Sequence, residues 1–362
     1  MEVPHRTITP LRWNGCSWCS VDLRAQQGLV ADAPLSSEEF RLATLNILTD
    51  ICPWPVRLAI ASQARFEALV VEVARLDATV LGLNEVSQTS LQALLASEFV
   101  RANYYVTELP HNVNTTLNGP HGCVLFSKLP FEECYALEPF EGEHQQRSRK
   151  PVVGVVAFRG CRMAVCSMHT VAHQTPENMA LRARQIGRAV TFLRSLDAQG
   201  HFVMGDLNMH YLAEDALIGA NGLLDCWAET HFGRDGDGDP GFTFDALTNP
   251  MIPHYIPGET RRMRLDRILC CAGAAFTPAR PCSFWGHAAV DRASDLYLSD
   301  HFGLVLDLVH SNQKFEGSAD VRQALEANGR RKLDPNPFSA GRFVLALLCH
   351  SVWLARRAVG LA

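Results

Sequence analysis

The chain has 362 residues, 47% hydrophobic and 20% charged, with a formal net charge of −5. That is the composition of an ordinary globular protein, long enough for one large two-sheet domain or two smaller ones. The mild acidity excludes a global basic field for nucleic acid, so any polyanion contact must come from a local patch.

Residues 1–37, with Pro4, Pro10, Trp13, Gly15, Trp18 and Pro34, show little periodicity and read as an N-terminal extension, ordered only if its tryptophans dock on the rest. Alternation from Phe40 to Leu48 predicts a strand. Phe66, Val70, Val73 and Leu76 recur at helical spacing, which predicts a helix from Ser62 to Leu76. Thr79 to Leu83 then reads as a buried strand that delivers Asn84 and Glu85 at its end. A helix from Gln88 to Glu98 follows, then strands over Ala102–Leu109, Gly122–Ser127 and Phe131–Glu138, with an Asn-rich loop at His111–Asn118. Val152–Phe158 and Cys161–Met168 form a hairpin about Arg159-Gly160. The long helix from Pro176 to Leu196 has proline at its first position and Thr175 as its cap.

Phe202 to Met204 is the next apolar strand. It breaks at Gly205 and is followed by Asp206 and Asn208, two residues that face one cavity if the chain stays extended. Arg264–Cys270 and Phe302–Leu308 supply late strands. Two basic patches, Arg147 with Arg149 and Lys150, and Arg261 with Arg262, Arg264 and Arg267, are the places where a polyanion could be held. Beyond Asn312 the composition turns polar and charged, then apolar from Phe343 to Ala355. That run is too short for a membrane span of about 20 apolar residues. It reads as a terminal helix docked on the domain, or else as an interfacial one.

The twelve cysteines show no disulfide framework, and Cys16 and Cys19 make a single CxxC with no second pair at zinc spacing. Free thiols in apolar runs, such as Cys166, Cys226 and Cys270, suit a reducing compartment, and residues 1–12 lack a signal-peptide core. The protein is therefore expected inside the cell, in nucleus or cytoplasm.

Polar residues collect where apolar strands end: Asn46, Glu85, His169, Asp206 with Asn208, Asp266, and Asp300 with His301. Charges are not left beside a core without metals, partners or work to do. Glu85 is a hard oxygen ligand for Mg2+ or Mn2+. Asp206 suits deprotonation of a water that Asn208 and Asn46 orient. His301 and His169 suit the negative charge of a phosphate, and Asp266 would keep His301 protonated.

These blocks resemble a known family. Leu45-Asn46, Asn84-Glu85-Val86, Gly205-Asp206-Leu207-Asn208 and Ser299-Asp300-His301, with Arg264-Leu265-Asp266-Arg267 before the last, occur in the order and spacing of the endonuclease/exonuclease/phosphatase superfamily of DNase I-like fold. The resemblance covers residues 40 to 310. It implies an α/β fold, a four-layered sandwich of two mixed β-sheets flanked by helices. It also implies Mg2+-dependent phosphoester hydrolysis by in-line attack of water. The catalytic domain is then 38–312, with 313–362 a C-terminal extension.

The resemblance makes Glu85 and Asp300 the metal site and Asp206 the base, with Asn208 beside it. It makes His301, oriented by Asp266, and His169 the phosphate contacts. Asn46 orders the water and metal shell. Phe242-Thr243-Phe244-Asp245, Asn249, Arg264–Ile268 and Ser299–Leu304 are similar to the 5′-tyrosyl-DNA phosphodiesterase branch. That likeness implies substrate contacts from Arg264 and a nucleic acid or protein–nucleic acid adduct as substrate; Arg149, from the first basic patch, is expected to line the groove, and the enzyme is expected to be a monomer. The sequence differs from the branch at Leu45, Leu48 and Asn84, where an aromatic residue, an acid and a glutamine are usual. RNA, phospholipid or phosphoinositide substrates share the chemistry. A silent binding module would lack Glu85, Asp206, Asp300 or His301, and all four are present.

Overall fold

The computed structural model describes residues 3–23, 38–117, 119–139, 149–210, 212–232, 238–293 and 295–329. Two β-sheets face each other. The first runs, in order, His5–Thr7, Phe131–Leu137, Val152–Phe158, Cys161–Ser167, Gly200–Asp206, Asp266–Cys271 and Leu223–Asp225. The second runs Ala274–Pro278, Gly303–Phe315, Phe40–Asn46, Val80–Ser87, His121–Ser127, Tyr105–Val106, Leu11–Trp13 and Trp18–Ser20, with Ser283–Trp285 paired on Gly303–Phe315.

The period of two in the strands sorts their side chains between layers. Leu42 and Val80 of the second sheet join Val165, Phe202, Met204 and Ile268 of the first in a core between the sheets. Leu45, Leu81 and Leu83 point the other way, beneath Phe66, Leu69 and Val73 of the helix Ser62–Leu76 and Leu91 and Leu94 of the helix Gln88–Ala96. Val203 and Leu269 face Ile186, Val190 and Leu193 of the helix Pro176–Ser195. The result is the four-layered α/β sandwich of mixed sheets.

Most pairs are antiparallel, and two central ones are parallel: Phe40–Asn46 with Val80–Ser87, and Cys161–Ser167 with Gly200–Asp206. Parallel neighbours end at the same edge. Asn46 therefore stands in register with Asn84, and Ser167 with Met204. The antiparallel neighbour begins there, with Asp266 opposite Asp206. Leu304 is opposite Thr44, which sets Asp300 and His301 at that edge too.

Local expectations held in several places. Thr175 accepts from Asn178 N at 3.2 Å and caps its helix. Asp77, left-handed at φ 53°, ends the helix before it. Others need correction. The strand expected over Ala102–Leu109 shrinks to Tyr105–Val106, because Ser97 caps a second short helix, Glu98–Asn103. The last strand runs on to Phe315. Residues 5–20 supply one strand to the first sheet and two to the second, and Trp18 packs on the outer core, so this part of the expected extension is built into both sheets. Past 312, Val321 and Leu325 of the helix Ala319–Gly329 pack on Ala228. The apolar run 343–355 and Arg147 lie outside the described residues. Among those described, no helix is long and apolar enough to cross a membrane.

Candidate active site

The two sheets are held together at this edge by Asn84 and Gly205. The Asn84 Oδ1 accepts from Asp206 N at 2.9 Å, and its Nδ2 lies 3.4 Å from Ser167 Oγ. Gly205 has φ 133°, and a Cβ there would meet Met168 O at 2.0 Å. Only glycine lets the strand approach this closely, and the approach carries Asp206 to the inter-sheet edge.

Asp206 is 2% exposed. Its Oδ1 accepts from Asn208 N at 2.9 Å and its Oδ2 from Asn46 Nδ2 at 3.0 Å. Asn208 sits in the left-handed region at φ 47°, and its Nδ2 donates to Thr170 O at 3.1 Å. The sequence expectation that both side chains face one cavity along extended chain thus has the wrong geometry. The chain turns, and the Asp206 carboxylate closes the turn onto Asn208 as an Asx-type hydrogen bond.

Glu85 is reached by a bulge. Pairing with His121–Ser127 slips between Leu83 and Val86, and Glu85 takes φ 58°. Its Oε2 accepts from Thr49 N at 3.0 Å and its Oε1 from Asn46 Nδ2 at 3.2 Å. Burial raises the pKa of this carboxyl. The His169 and His121 rings and the Thr49 and Asn46 donors outweigh it and bring the value down to about 2. One amide, Asn46 Nδ2, thus touches both Glu85 and Asp206.

His301 Nδ1 lies 2.7 Å from Asp266 Oδ2, and its Nε2 lies 4.0 Å from Asp300 Oδ2. Burial works against a charge on this ring. The carboxylates of Asp266, Asp300 and Asp206 overcome it and raise the pKa well above the usual histidine value. Phe244 packs edge-on against the ring at 5.5 Å. Thr243 Oγ1 accepts from Asp266 N at 3.0 Å, and Asn249 Nδ2 donates to Ser299 O at 2.8 Å. The Ser299 hydroxyl is 2.5 Å from Asn46 O and 3.1 Å from Asp300 Oδ1. His169 Nε2 lies 3.5 Å from Asp206 Oδ2.

One atom each of Asp206, Asp266 and His301 falls within 4.8 Å of the others. A protonated imidazole has no lone pair for a metal, so His301 paired with Asp266 offers a hydrogen-bond donor beside the Asp206 carboxylate. Hard oxygen donors remain at Glu85, Asp206 and Asp300. A buried carboxylate, Asp206, and a half-buried one, Glu85, meeting at one amide, with Glu85 kept ionised, fit a divalent cation.

Arg264 differs from expectation. Its Nη1 donates to Asp225 Oδ1 at 2.9 Å, and its Nη2 lies 3.9 Å from Asp215. Arg267 closes the same network on Asp225 at 2.7 Å and Asp215 at 2.9 Å. Arg264 is therefore an internal counter-ion, and this placement does not support the substrate contact expected of it. Asp225 also caps the helix Cys226–His231, accepting from Trp227 N and Ala228 N at 3.1 Å each.

Sequence reasoning missed His121. It is buried at the start of its strand, ring-stacked on His169 at 6.2 Å, and Arg149 Nη2 reaches its Nε2 at 2.9 Å. A polar residue just before the apolar run Gly122–Ser127 was its only signal.

Residues 43–301 match the Endonuclease/Exonuclease/phosphatase family. The chain belongs to that family. It is a phosphoric ester hydrolase of the phosphodiesterase and nuclease class. Among solved structures it is similar to D. rerio TDP2 complexed with single strand DNA product, at 18% identity, TM-score 0.55, over 75% of this chain and 99% of that chain. Truncated Caenorhabditis elegans TDP2 gives 17%, 0.55, and 75% and 98%. Beta toxin from Staphylococcus aureus gives 15%, 0.52, and 74% and 99%. At these identities the likeness is one of fold. No curated protein sequence matches the chain.

Proposed function

We propose that the chain is a Mg2+-dependent phosphodiester hydrolase whose substrate is a 5′-tyrosyl-DNA adduct. The observation that carries the chemistry is the His301–Asp266 pair set against Asp206: a cationic donor beside a carboxylate, both buried at one sheet edge.

Glu85, with Asp206 across the Asn46 amide from it, and Asp300 would hold the divalent ion. The ion, when bound, supplies positive charge to the phosphate and the leaving oxygen. The chain's own residues do the rest. Asp206 takes the proton of the attacking water, and the Asn208 and Asn46 amides fix where that water and the Asp206 carboxylate sit. The water oxygen bonds to phosphorus as the opposite P–O bond breaks. His301 Nε2–H donates to a phosphate oxygen on which negative charge grows, and Asp266 keeps that ring protonated and oriented. His169, beside Asp206, gives a second contact.

The substrate assignment has two supports. The blocks from Phe242 to Leu304 run as in the 5′-tyrosyl-DNA branch, and a solved structure of similar fold holds a single strand DNA product. A lipid phosphodiester is the second reading, favoured by exposed Ile51, Trp54 and Leu58 just beyond Thr49, which binds Glu85. The test is turnover in Mg2+ of a panel: 5′-tyrosyl oligonucleotide, abasic duplex, oligo(A), sphingomyelin vesicles and inositol phosphates. Preferred release of tyrosine is expected. Preferred turnover of the vesicles would replace the first reading with the second.

A further inference from the structure

The helix Ser62–Leu76 buries Ser62, Arg65, Phe66, Leu69 and Val73 along one stripe, and Arg65 is the charged member of it. A cation on a core-facing stripe is costly unless its donors are satisfied. Arg65 is 0% exposed. It stands in the first turn of its helix, and helical side chains lean toward the N-terminus, so the guanidinium reaches past the helix end. Its Nε donates to Ile60 O at 2.8 Å, its Nη1 to Ile47 O at 2.9 Å and Leu298 O at 2.8 Å, and its Nη2 to Leu48 O at 2.9 Å. Two of the segments it joins carry the site. Asn46 and Thr49 flank Ile47 and Leu48, and Ser299, Asp300 and His301 follow Leu298.

The bond to Leu48 falls on a strained residue. Leu48 has φ 53°, a left-handed conformation that leucine rarely adopts. That turn aims two donors. Leu48 N donates to Asn46 Oδ1 at 3.1 Å, which orients the amide whose Nδ2 reaches Glu85 and Asp206. The next residue presents Thr49 N to Glu85 Oε2 at 3.0 Å. Such backbone persists only where the surroundings over-determine it. Arg65 adds that constraint, holding the carbonyls of Ile47 and Leu48 and, from the same Nη1, the carbonyl of Leu298. A lysine has three donors radiating from one atom and cannot reproduce a planar fork that spans these segments.

We propose that Arg65 is a positioning residue for the reaction: it locks the Leu48 turn and ties it to Leu298, and so sets the Glu85 side of the site against the Asp300–His301 side. The proposal rests on the phosphodiesterase reading above, in which Glu85 and Asp300 hold the ion. With no exposed surface, Arg65 acts through the backbone rather than on the substrate.

The experiment uses Arg65→Lys, which keeps the charge and most of the volume. Mn2+ alone, titrated calorimetrically, probes the ion site. Loss of a group that orients metal ligands costs about 10–100-fold in affinity or activity. Arg65→Lys should weaken Mn2+ by that factor. At saturating Mn2+ it should lower kcat on a p-nitrophenyl nucleotide ester while KM stays within about twofold of wild type. Amide hydrogen exchange without metal gives a second readout. Thr49 N should exchange faster in the variant, while Val203 N and Leu269 N of the first sheet exchange as in wild type. Adding Leu48→Gly, which takes the left-handed turn without strain, should restore part of the Mn2+ affinity to Arg65→Lys.

Unchanged Mn2+ affinity and Thr49 exchange in folded Arg65→Lys would overturn the proposal. Equal loss of protection at Val203 and Leu269 would do the same, since Arg65 would then be a general core residue, and so would no gain from Leu48→Gly. Should Arg65→Lys not fold, Leu48→Ile takes its place: a β-branched residue resists the left-handed turn and should reproduce both losses. Wild-type behaviour in that variant would overturn the proposal. If wild type binds no Mn2+, the metal reading fails on its own, and Thr49 exchange still decides the role of Arg65.

Discussion

The imidazole of His301 and the carboxylate of Asp266 are 2.7 Å apart in a pocket that leaves His301 5% exposed and Asp266 fully buried. Neither is surrounded by water that could stabilise a lone charge, so each depends on the other. The folded-state pKa of His301 lies well above its unfolded value of about 6.5. The pair's contribution to stability is complete below that unfolded value and fades as pH rises through the folded one.

Asp266→Asn removes the charge and keeps the shape. The pKa of His301 should fall, and the alkaline limb of the pH–rate profile should move to lower pH with it. A profile taken in excess Mg2+, with the ring followed by NMR, checks this. A wild-type limb in the variant would return Asp266 to a structural role.

Glu85 titrates with the opposite sign. Its pKa is lowered to about 2, so its interactions stabilise the fold above the unfolded carboxyl value of about 4.3 and are lost as pH falls toward 2. Glu85→Gln should weaken Mg2+ binding in calorimetry and lower kcat by at least about 10²-fold, with circular dichroism unchanged. Full turnover at low Mg2+ would remove Glu85 from the metal site.

Arg264 separates a structural from a functional cation. Breaking a buried ion pair from one side costs about 3–5 kcal/mol. Arg264→Met should therefore lower stability toward urea by about that amount, less whatever Arg267 restores to Asp225, and should leave KM unchanged in the folded fraction. A KM increase with no stability loss would restore the substrate contact read from the sequence.

Gly205 tests the junction between the sheets. Gly205→Ala sets a methyl against Met168 O and Asn84 Oδ1 and demands a left-handed backbone of alanine. A loss of about 3 kcal/mol or more is expected, with activity falling alongside it. Thermal melts and turnover measured together would show it, and a wild-type melt would contradict the close packing.

Much of this site could be read from the sequence because strand ends carry it. Asn46, Glu85, Asp206 and His301 each follow or precede an apolar strand, and the parallel pairing of two strand pairs does what their positions promise. What was hidden depends on contacts between distant segments. Arg264 looked like a substrate contact because nothing local shows that Asp225 and Asp215, dozens of residues away, hold it. Asn84 looked like a departure from a glutamine, yet its Oδ1 ties the two sheets at Asp206 N. Residues 5–20 showed no period because each strand there is only three residues long and leans on a partner for its order.

The central claim is that Asp206 performs the chemistry of water attack within this constellation. Single-turnover cleavage of a 5′-tyrosyl oligonucleotide by wild type and Asp206→Asn, with and without Mg2+, tests it most directly. Wild type should release tyrosine only in Mg2+, and Asp206→Asn should be slower by about 10²–10⁴-fold at every pH while binding the oligonucleotide as tightly. A variant that cleaves at the wild-type rate, or a wild type that releases tyrosine equally well in chelator, would contradict the account.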